Sequence, residues 1–224
     1  MSSEELLNNI DKDNDCTKQF RKAYENRYTW EPGFSGYKGI CEVDNEYGKY
    51  AGSFVLPKDC KPIIKGLSNK EAEKDIYSQL WEVSIHRIRR PFEKTHGQNT
   101  FKSGEINSTG LEILVDGKNK GDKYRIKDNT VTMVYRHIHG SLINIFTEKV
   151  FYTPKGYLSQ VYTSQNLDPI TKKPSSAKRT FIDEFTPLRE CSTFVLSSRT
   201  IEAQSFLNQK ALKTCYKFNN LEKL

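Results

Sequence analysis

The amino-acid sequence predicts an α+β fold: a single large curled antiparallel sheet of about ten strands, with two helices from the N-terminal half packed on its concave side. Three observations carry this expectation. Helical periodicity occurs twice, both times before Pro91. From about residue 100 onward the hydrophobic period is two, in short runs separated by turn residues. Tyr and Phe are plentiful, 12 of each in 224 residues, although the apolar content is modest. Disordered chains lack aromatics, so this composition describes a core built largely from rings. A sheet of that length has to curl or close, because strand twist accumulates.

The first helix is expected over Cys16–Tyr28. Phe20, Ala23, Tyr24 and Arg27 recur at i, i+3, i+4 and i+7, and Pro32-Gly33 stops the run. Tyr37–Val43 and Lys49–Leu56 alternate as strands around an Asp-Asn-Glu-Tyr-Gly turn, a hairpin pattern. The run Lys61–Lys65 contains Pro62, which restricts it to an edge or an irregular strand. Ser68 and Glu71 stand at capping-box spacing ahead of Ala72, Ile76, Leu80, Val83 and Ile88, one helical face widened by Tyr77 and Trp81. Pro91 disfavours helix at Arg90, so this second helix is expected to end there. Its last turn would then carry Arg87, Arg89 and Arg90, at the negative end of the macrodipole.

The remaining strands are expected over Thr100–Ile106, Leu111–Val115, Lys123–Lys127, Thr130–His139, Leu142–Tyr152, Tyr157–Tyr162, Lys178–Phe185, Thr193–Arg199 and Ala211–Phe218. Short turn signals between them argue for antiparallel neighbours. Asn166–Ser176 is the longest connecting segment. No second domain boundary is visible, so residues 15–224 read as one β-rich domain behind an acidic, flexible tail over residues 1–14.

The formal net charge is +7. Glu4, Glu5, Asp11, Asp13 and Asp15 against Lys12 make the N-terminus acidic, so the rest of the chain is more basic than the total implies. No apolar run approaches a membrane span, and the N-terminus has neither the pattern of a secretory signal nor that of a transit peptide. Five dispersed cysteines without a C-x-x-C pair point to reduced thiols and a cytoplasmic or similar reducing compartment. Gly-x-Ser-x-Gly, phosphate-loop and dinucleotide fingerprints are absent. The lysines are interleaved with acids and match no nucleic-acid motif, which disfavours nucleic acid as a partner.

What stands out chemically is the placement of the four histidines. His86 and His96 flank Arg87, Arg89 and Arg90, and His137 and His139 follow Arg136. His86, Arg87, Arg90, His96, Arg136, His137 and His139 are therefore the candidate ligand-binding residues. Arginine forms bidentate bonds to carboxylate or phosphate, and neutral imidazole can hold or move a proton. A metal reading of the His-x-His pair is weaker: the arginines repel a cation, and Glu93 is the one carboxylate near either segment in sequence, so no metal set is assigned. In a purely structural reading the arginines pair with acids such as Glu82 and Glu93, and the histidines join a polar layer between helix and sheet.

The motif Phe20-Arg21-Lys22-Ala23-Tyr24-Glu25-Asn26-Arg27-Tyr28-Thr29-Trp30 resembles the opening of domain-of-unknown-function family 3386 of cyanobacteria and plastids. Gln79-Leu80-Trp81-Glu82 through Arg89-Arg90-Pro91-Phe92-Glu93 and Thr95-His96-Gly97-Gln98-Asn99-Thr100-Phe101 resemble its central signature. So do Glu112-Ile113-Leu114-Val115 and Val131-Thr132-Met133-Val134 through Arg136-His137-Ile138-His139-Gly140. The resemblance covers about residues 18–200. It implies an oxygenic phototroph and a cytoplasmic or plastid-stromal address, peripheral to the thylakoid if membrane-associated; it carries over no catalytic residue and no cofactor. The element order also looks like the half-barrel of lipoprotein carriers, the LolA/LolB-like fold.

The leading functional expectation is a protein that binds or carries an amphiphilic anion, a lipid or a tetrapyrrole, in a curled-sheet cavity. One alternative is an enzyme using the His/Arg cluster for acid–base or metal-assisted chemistry. The other is a photosynthetic-complex assembly factor, whose basic face would meet an acidic protein partner or a membrane surface.

Overall fold

The computed structural model describes residues 15–138, 140–204 and 211–224; the acidic segment 1–14 lies outside them. The described chain divides into two compact units. Residues 15–28 and 90–178 form the first, and residues 29–89 and 179–224 the second. Among the described residues there are twelve strands, not the expected ten or so. Every run read as a strand pairs, including the short Pro62-flanked one, whose strand begins just after the proline at Ile63. Neighbours within each unit are antiparallel, and neither unit's strand order closes on itself. Among the described residues there are three helices rather than two. None is long and apolar enough to cross a membrane.

In the first unit, α1 spans residues 15–25 and α3 spans Phe92–His96. The strands run as a continuous meander: β4 (Asn99–Asn107), β5 (Gly110–Gly117), β6 (Lys123–Lys127), β7 (Thr130–Ile138), β8 (Ser141–Thr153) and β9 (Gly156–Leu167). Helix α1 turns Cys16, Phe20, Ala23 and Tyr24 inward, spaced i, i+4, i+7 and i+8 along one stripe. They meet Phe92 of α3 and Phe101, Ile113, Val115, Tyr124, Ile126 and Val131 from the sheet. Phe20 is fully buried, with its ring 4.6 Å from that of Tyr124 and 5.2 Å from that of Phe101. Tilted and edge-to-face rings at these separations are mutually attractive beyond their area burial. The buried cluster takes side chains from β4–β7 and, among the described residues, none from β8 or β9.

In the second unit, β1 (Gly36–Asn45), β2 (Gly48–Pro57), β3 (Ile63–Lys65), β10 (Arg179–Pro187), β11 (Phe194–Gln204) and β12 (Ala211–Lys223) take the order β3-β2-β1-β12-β11-β10. The edge position expected for the Pro62 run is observed. The pairing of β1 with β12, from Tyr37 opposite Lys223 to Asp44 opposite Cys215, joins segments nearly a whole chain apart. Helix α2, Lys70–Ile85, lays Ala72, Ile76, Leu80 and Val83 on Tyr37, Cys41, Phe54, Leu56, Tyr216 and Phe218. Gly36 has φ +109, and a Cβ there would sit 2.1 Å from the Leu56 carbonyl oxygen, so the start of β1 requires glycine.

Two expectations about α2 are corrected. Its N-cap is Asn69 rather than Ser68: the Asn69 side-chain oxygen accepts from the amides of Glu71 and Ala72 at 2.9 and 3.0 Å. The helix also ends at Ile85, well before Pro91. The amides of His86 and Arg87 reach back three residues to Val83 and Ser84, tightening the last turn, and the Arg87 carbonyl is taken by the Trp30 amide at 2.8 Å. Arg87, Arg89 and Arg90 therefore lie beyond the helix and carry no dipole role.

A buried ion pair ties α2 to its sheet. Arg199 on β11 is 1% exposed and Asp183 on β10 is 2% exposed. The guanidinium donates to both Asp183 oxygens, at 2.8 and 2.7 Å, and to Gln79 and Glu82 of α2 at 2.9 and 3.2 Å.

Candidate functional site

The segment Asn26–Tyr28, just beyond α1, runs beside β9. Tyr157 N donates to the Asn26 carbonyl at 2.9 Å, and Tyr28 N donates to the Tyr157 carbonyl at 2.8 Å. Gly156 permits this approach: its φ is +125, and a Cβ would fall 2.2 Å from the Asn26 carbonyl oxygen. Arg27 is held between these bonds. Its Nε donates to the Tyr24 carbonyl at 3.0 Å, and its guanidinium carbon lies 4.0 Å above the Tyr24 ring. Among the described residues no carboxylate lies within ion-pair distance of Arg27.

Asp122 stands just before β6 and is 2% exposed. It accepts Nε of Arg136 at 3.2 Å, the amide of His137 at 2.9 Å, and faces Nδ1 of His137 at 3.1 Å. A carboxylate on Nδ1 places the imidazole proton there and leaves Nε2 as the basic atom. The expectation that Glu93 is the only acid near the histidine segments is thereby corrected: the β5–β6 turn delivers Asp122, fifteen positions before His137. Glu93 pairs with Arg21 at 2.6 Å and Glu82 with Arg199 at 3.2 Å.

His96 is 4% exposed and lies among rings. Its ring centroid is 5.1 Å from those of Phe20, Tyr24 and Phe92 and 5.7 Å from that of Tyr124. Nδ1 has no hydrogen-bond partner among the described residues, so His96 is not part of a hydrogen-bonded polar layer. Burial pushes its pKa down to about 4; Arg136 and Arg27 act in the same direction, and Asp122 opposes them. Tyr124 is pushed up to about 12 by burial, with the same two arginines opposing. His96 and Tyr124 therefore share one electrostatic neighbourhood: two guanidiniums, one carboxylate and a neutral imidazole.

Of the seven residues expected to form the site, Arg136 and His137 are joined by Asp122, and His96 feels Arg136. Arg90 belongs to the same unit through its carbonyl, which accepts the Tyr24 hydroxyl at 3.2 Å. His86, the exposed C-cap of α2, and Arg87, whose guanidinium carbon lies 5.5 Å above the Phe185 ring, belong to the second unit. His139 lies outside the described residues. Sequence reasoning missed Arg27, Asp122 and Tyr124 as site members. Arg27 was visible only as the polar end of an apolar helix stripe, and Asp122 as one more acid in a Lys-rich turn.

The sheet adds an apolar strip beside Arg136. Directly opposed residues in antiparallel strands share a face, as do residues two apart in one strand. Arg136 faces Ile143 and Val134 faces Ile145 across β7–β8, so all four share a face. Val134 packs against the helix-covered core, whereas Ile143 and Ile145 are half-buried on β8, outside that core.

Among solved structures, similarity is detected to a DUF1329 family protein from Desulfovibrio piger ATCC 29098, at 6% identity over 95% of this chain and 93% of that one, with a TM-score of 0.26. It is also detected to the Pseudomonas aeruginosa MucA/MucB complex, at 8% identity over 90% and 91%, with a TM-score of 0.23. Superpositions this loose transfer neither fold nor function. No protein of curated function matches the chain. The family model described as "Protein of unknown function (DUF3386)" matches residues 11–224, past the residue near 200 where the motif resemblance stops and through β12, and the chain belongs to that family.

Proposed function

We propose that the protein binds or carries an amphiphilic anion, a lipid or a tetrapyrrole, and that the first unit holds its charged group. One observation carries this reading: Arg136 and Arg27, both half-buried, act on the buried His96 together, and Asp122 is the one carboxylate that opposes them there. A surplus charge of this kind is costly to keep partly out of water unless an anion completes it. The strip of Val134, Ile143 and Ile145 beside Arg136 offers apolar contact for the rest of the ligand, as binding sites commonly combine apolar walls with a few convergent polar groups. In this reading the six strands of each unit twist around the helices packed on them, in the manner of a LolA/LolB-like half-barrel. The test is organic extraction of the purified protein with mass spectrometry, together with thermal shift against lipids and tetrapyrroles. A protein that yields no extractable amphiphile and shows no shift with any of them does not have this function.

A second reading is favoured by the Asp122–His137 pair. A buried carboxylate on Nδ1 orients a basic Nε2 in a side chain that is 40% exposed, the arrangement in which histidine acts as a general base. Here the bound molecule would be converted, not only held. Incubating the extracted ligand with wild type and His137→Gln separates the two: turnover lost with binding retained supports the enzyme, and an unchanged ligand in both supports the carrier.

A further inference from the structure

We infer that one end of the first unit docks on an anionic lipid bilayer, with Ile170 entering the headgroup boundary and Lys118, Lys120, Lys172 and Lys173 beside it, independently of the ligand reading above. Strand direction sorts the connections. Because β4–β9 form an antiparallel meander, segments 108–109, 128–129 and 154–155 all lie at one end of the unit. Segment 118–122 and the chain leaving β9 lie at the other end. The first set carries one lysine, Lys155, against one acid, Asp128. Segments 118–122 and 168–174 carry four exposed lysines against Asp122 and Asp168. Asp122 is buried on Arg136. Asp168 is turned onto its own loop: one side-chain oxygen accepts the amides of Ile170 and Thr171 at 3.0 and 2.6 Å and the Thr171 hydroxyl at 2.9 Å. Lys120 shares Asp116 at 3.8 Å in an exposed pair, which holds little. Among the described residues Lys118, Lys172 and Lys173 are in no ion pair.

The exit from β9 holds Ile170 out. Beyond Leu167 the chain turns back on itself, with Leu167 bridging Pro174. The Asp168 amide donates to the Lys173 carbonyl at 2.8 Å, and the Lys172 amide to the Asp168 carbonyl at 2.9 Å. Ile170 stands on this tip 87% exposed, the most exposed large apolar side chain among the described residues. A tip already ordered does not pay the entropy that a loose loop would pay on insertion. The two lysine segments leave β6 and β9, three strand spacings or about 15 Å apart, so one surface can meet both. A hydrophilic polyanion engages the lysines but offers no apolar phase to Ile170. An anionic bilayer offers both, and lysine stems can lie along the apolar boundary while their ammonium groups meet the phosphates.

Co-sedimentation of the full chain with vesicles tests this at about 0.1 M salt, using phosphatidylcholine alone and an equal mixture with phosphatidylglycerol. Binding is expected to the mixed vesicles only. Ile170→Ser is expected to lower the partition coefficient about tenfold, and Ile170→Leu to leave it unchanged. Lys172→Gln with Lys173→Gln is expected to lower it at least about tenfold. Lys127→Gln with Lys155→Gln removes the same charge at the opposite end and is expected to bind as wild type does. All of these side chains are exposed, so the fold is not at stake. Binding that needs the lysine pair but not Ile170 overturns the bilayer as occupant and leaves a basic surface for a hydrophilic polyanion. Equal binding to phosphatidylcholine alone, equal loss in the opposite-end pair, or no binding to either vesicle overturns the inference. Each of these outcomes leaves the ligand reading to its own extraction and thermal-shift test.

Discussion

His96 should make the protein acid-labile in a way that one substitution removes. In the native state its imidazole is enclosed by Phe20, Tyr24, Phe92 and Tyr124, and its pKa is lowered from 6.5 to about 4. Unfolding returns it to water and to its ordinary value, so the unfolded chain binds this proton first as pH falls. The stabilising contribution is thus complete above about pH 7 and is lost as pH falls toward the folded value. Lowering from 6.5 to about 4 corresponds to about 3 kcal/mol, of which about 1.4 kcal/mol is gone by pH 5.5 and most of the rest by pH 4. The charges facing His96 are Arg136, Arg27 and Asp122, and both arginines oppose its protonation. The assay is urea unfolding followed by far-UV circular dichroism at half-unit steps from pH 8 to 4, for wild type and His96→Phe. Phenylalanine matches the surrounding rings and carries no proton, so the carboxylates common to both proteins cancel in the difference. The wild type is expected to lose about 3 kcal/mol more than the variant over this range. Parallel curves, or a native imidazole resonance titrating at 6 or above, would refute the reasoning.

Arg199→Ala strands the Asp183 carboxylate in the second unit and should cost about 3–5 kcal/mol. The double replacement Arg199→Met with Asp183→Leu should recover most of that; Trp30 and Trp81, both in this unit, report it by fluorescence. Asn69→Ala removes the α2 cap and should cost about 1 kcal/mol in the same assay, whereas Ser68→Ala should be nearly silent. Asp122→Asn should exchange the Nδ1-bonded proton of His137 for a mixture of tautomers, visible in the nitrogen shifts of the imidazole, while leaving β7 paired.

Much of the fold was legible because its signals are local. Alternation over five to ten residues marks each strand, and a stripe such as Cys16, Phe20, Ala23 and Tyr24 marks a helix whatever it packs on. The errors were local too. Ser68 and Asn69 are both good caps, and backbone geometry chose the second. Pro91 disfavours helix at Arg90 but does not require helix up to it, and the Trp30 amide takes the Arg87 carbonyl two residues past the helix end at Ile85. The site was legible only by half. Arg136, His137 and His96 were found by their clustering, but Asp122 and Arg27 look ordinary in sequence and become partners only when the β5–β6 turn and the residues after α1 are brought to β7 and β9.

The sequence by itself determined the element types, the strand-rich body and the family, since these depend on residues close together in the chain. Tertiary structure decided which strands meet and which charges are left over. The pairing of β1 with β12 closes the longest loop in the molecule and is specified by no short pattern. Whether His96 is a surface ligand or a neutral ring in a core depends on burial, which no local spacing reports. The grouping of Arg27, Arg136 and Asp122 around His96 exists only in space, because a net charge counts residues and a buried ring feels neighbours.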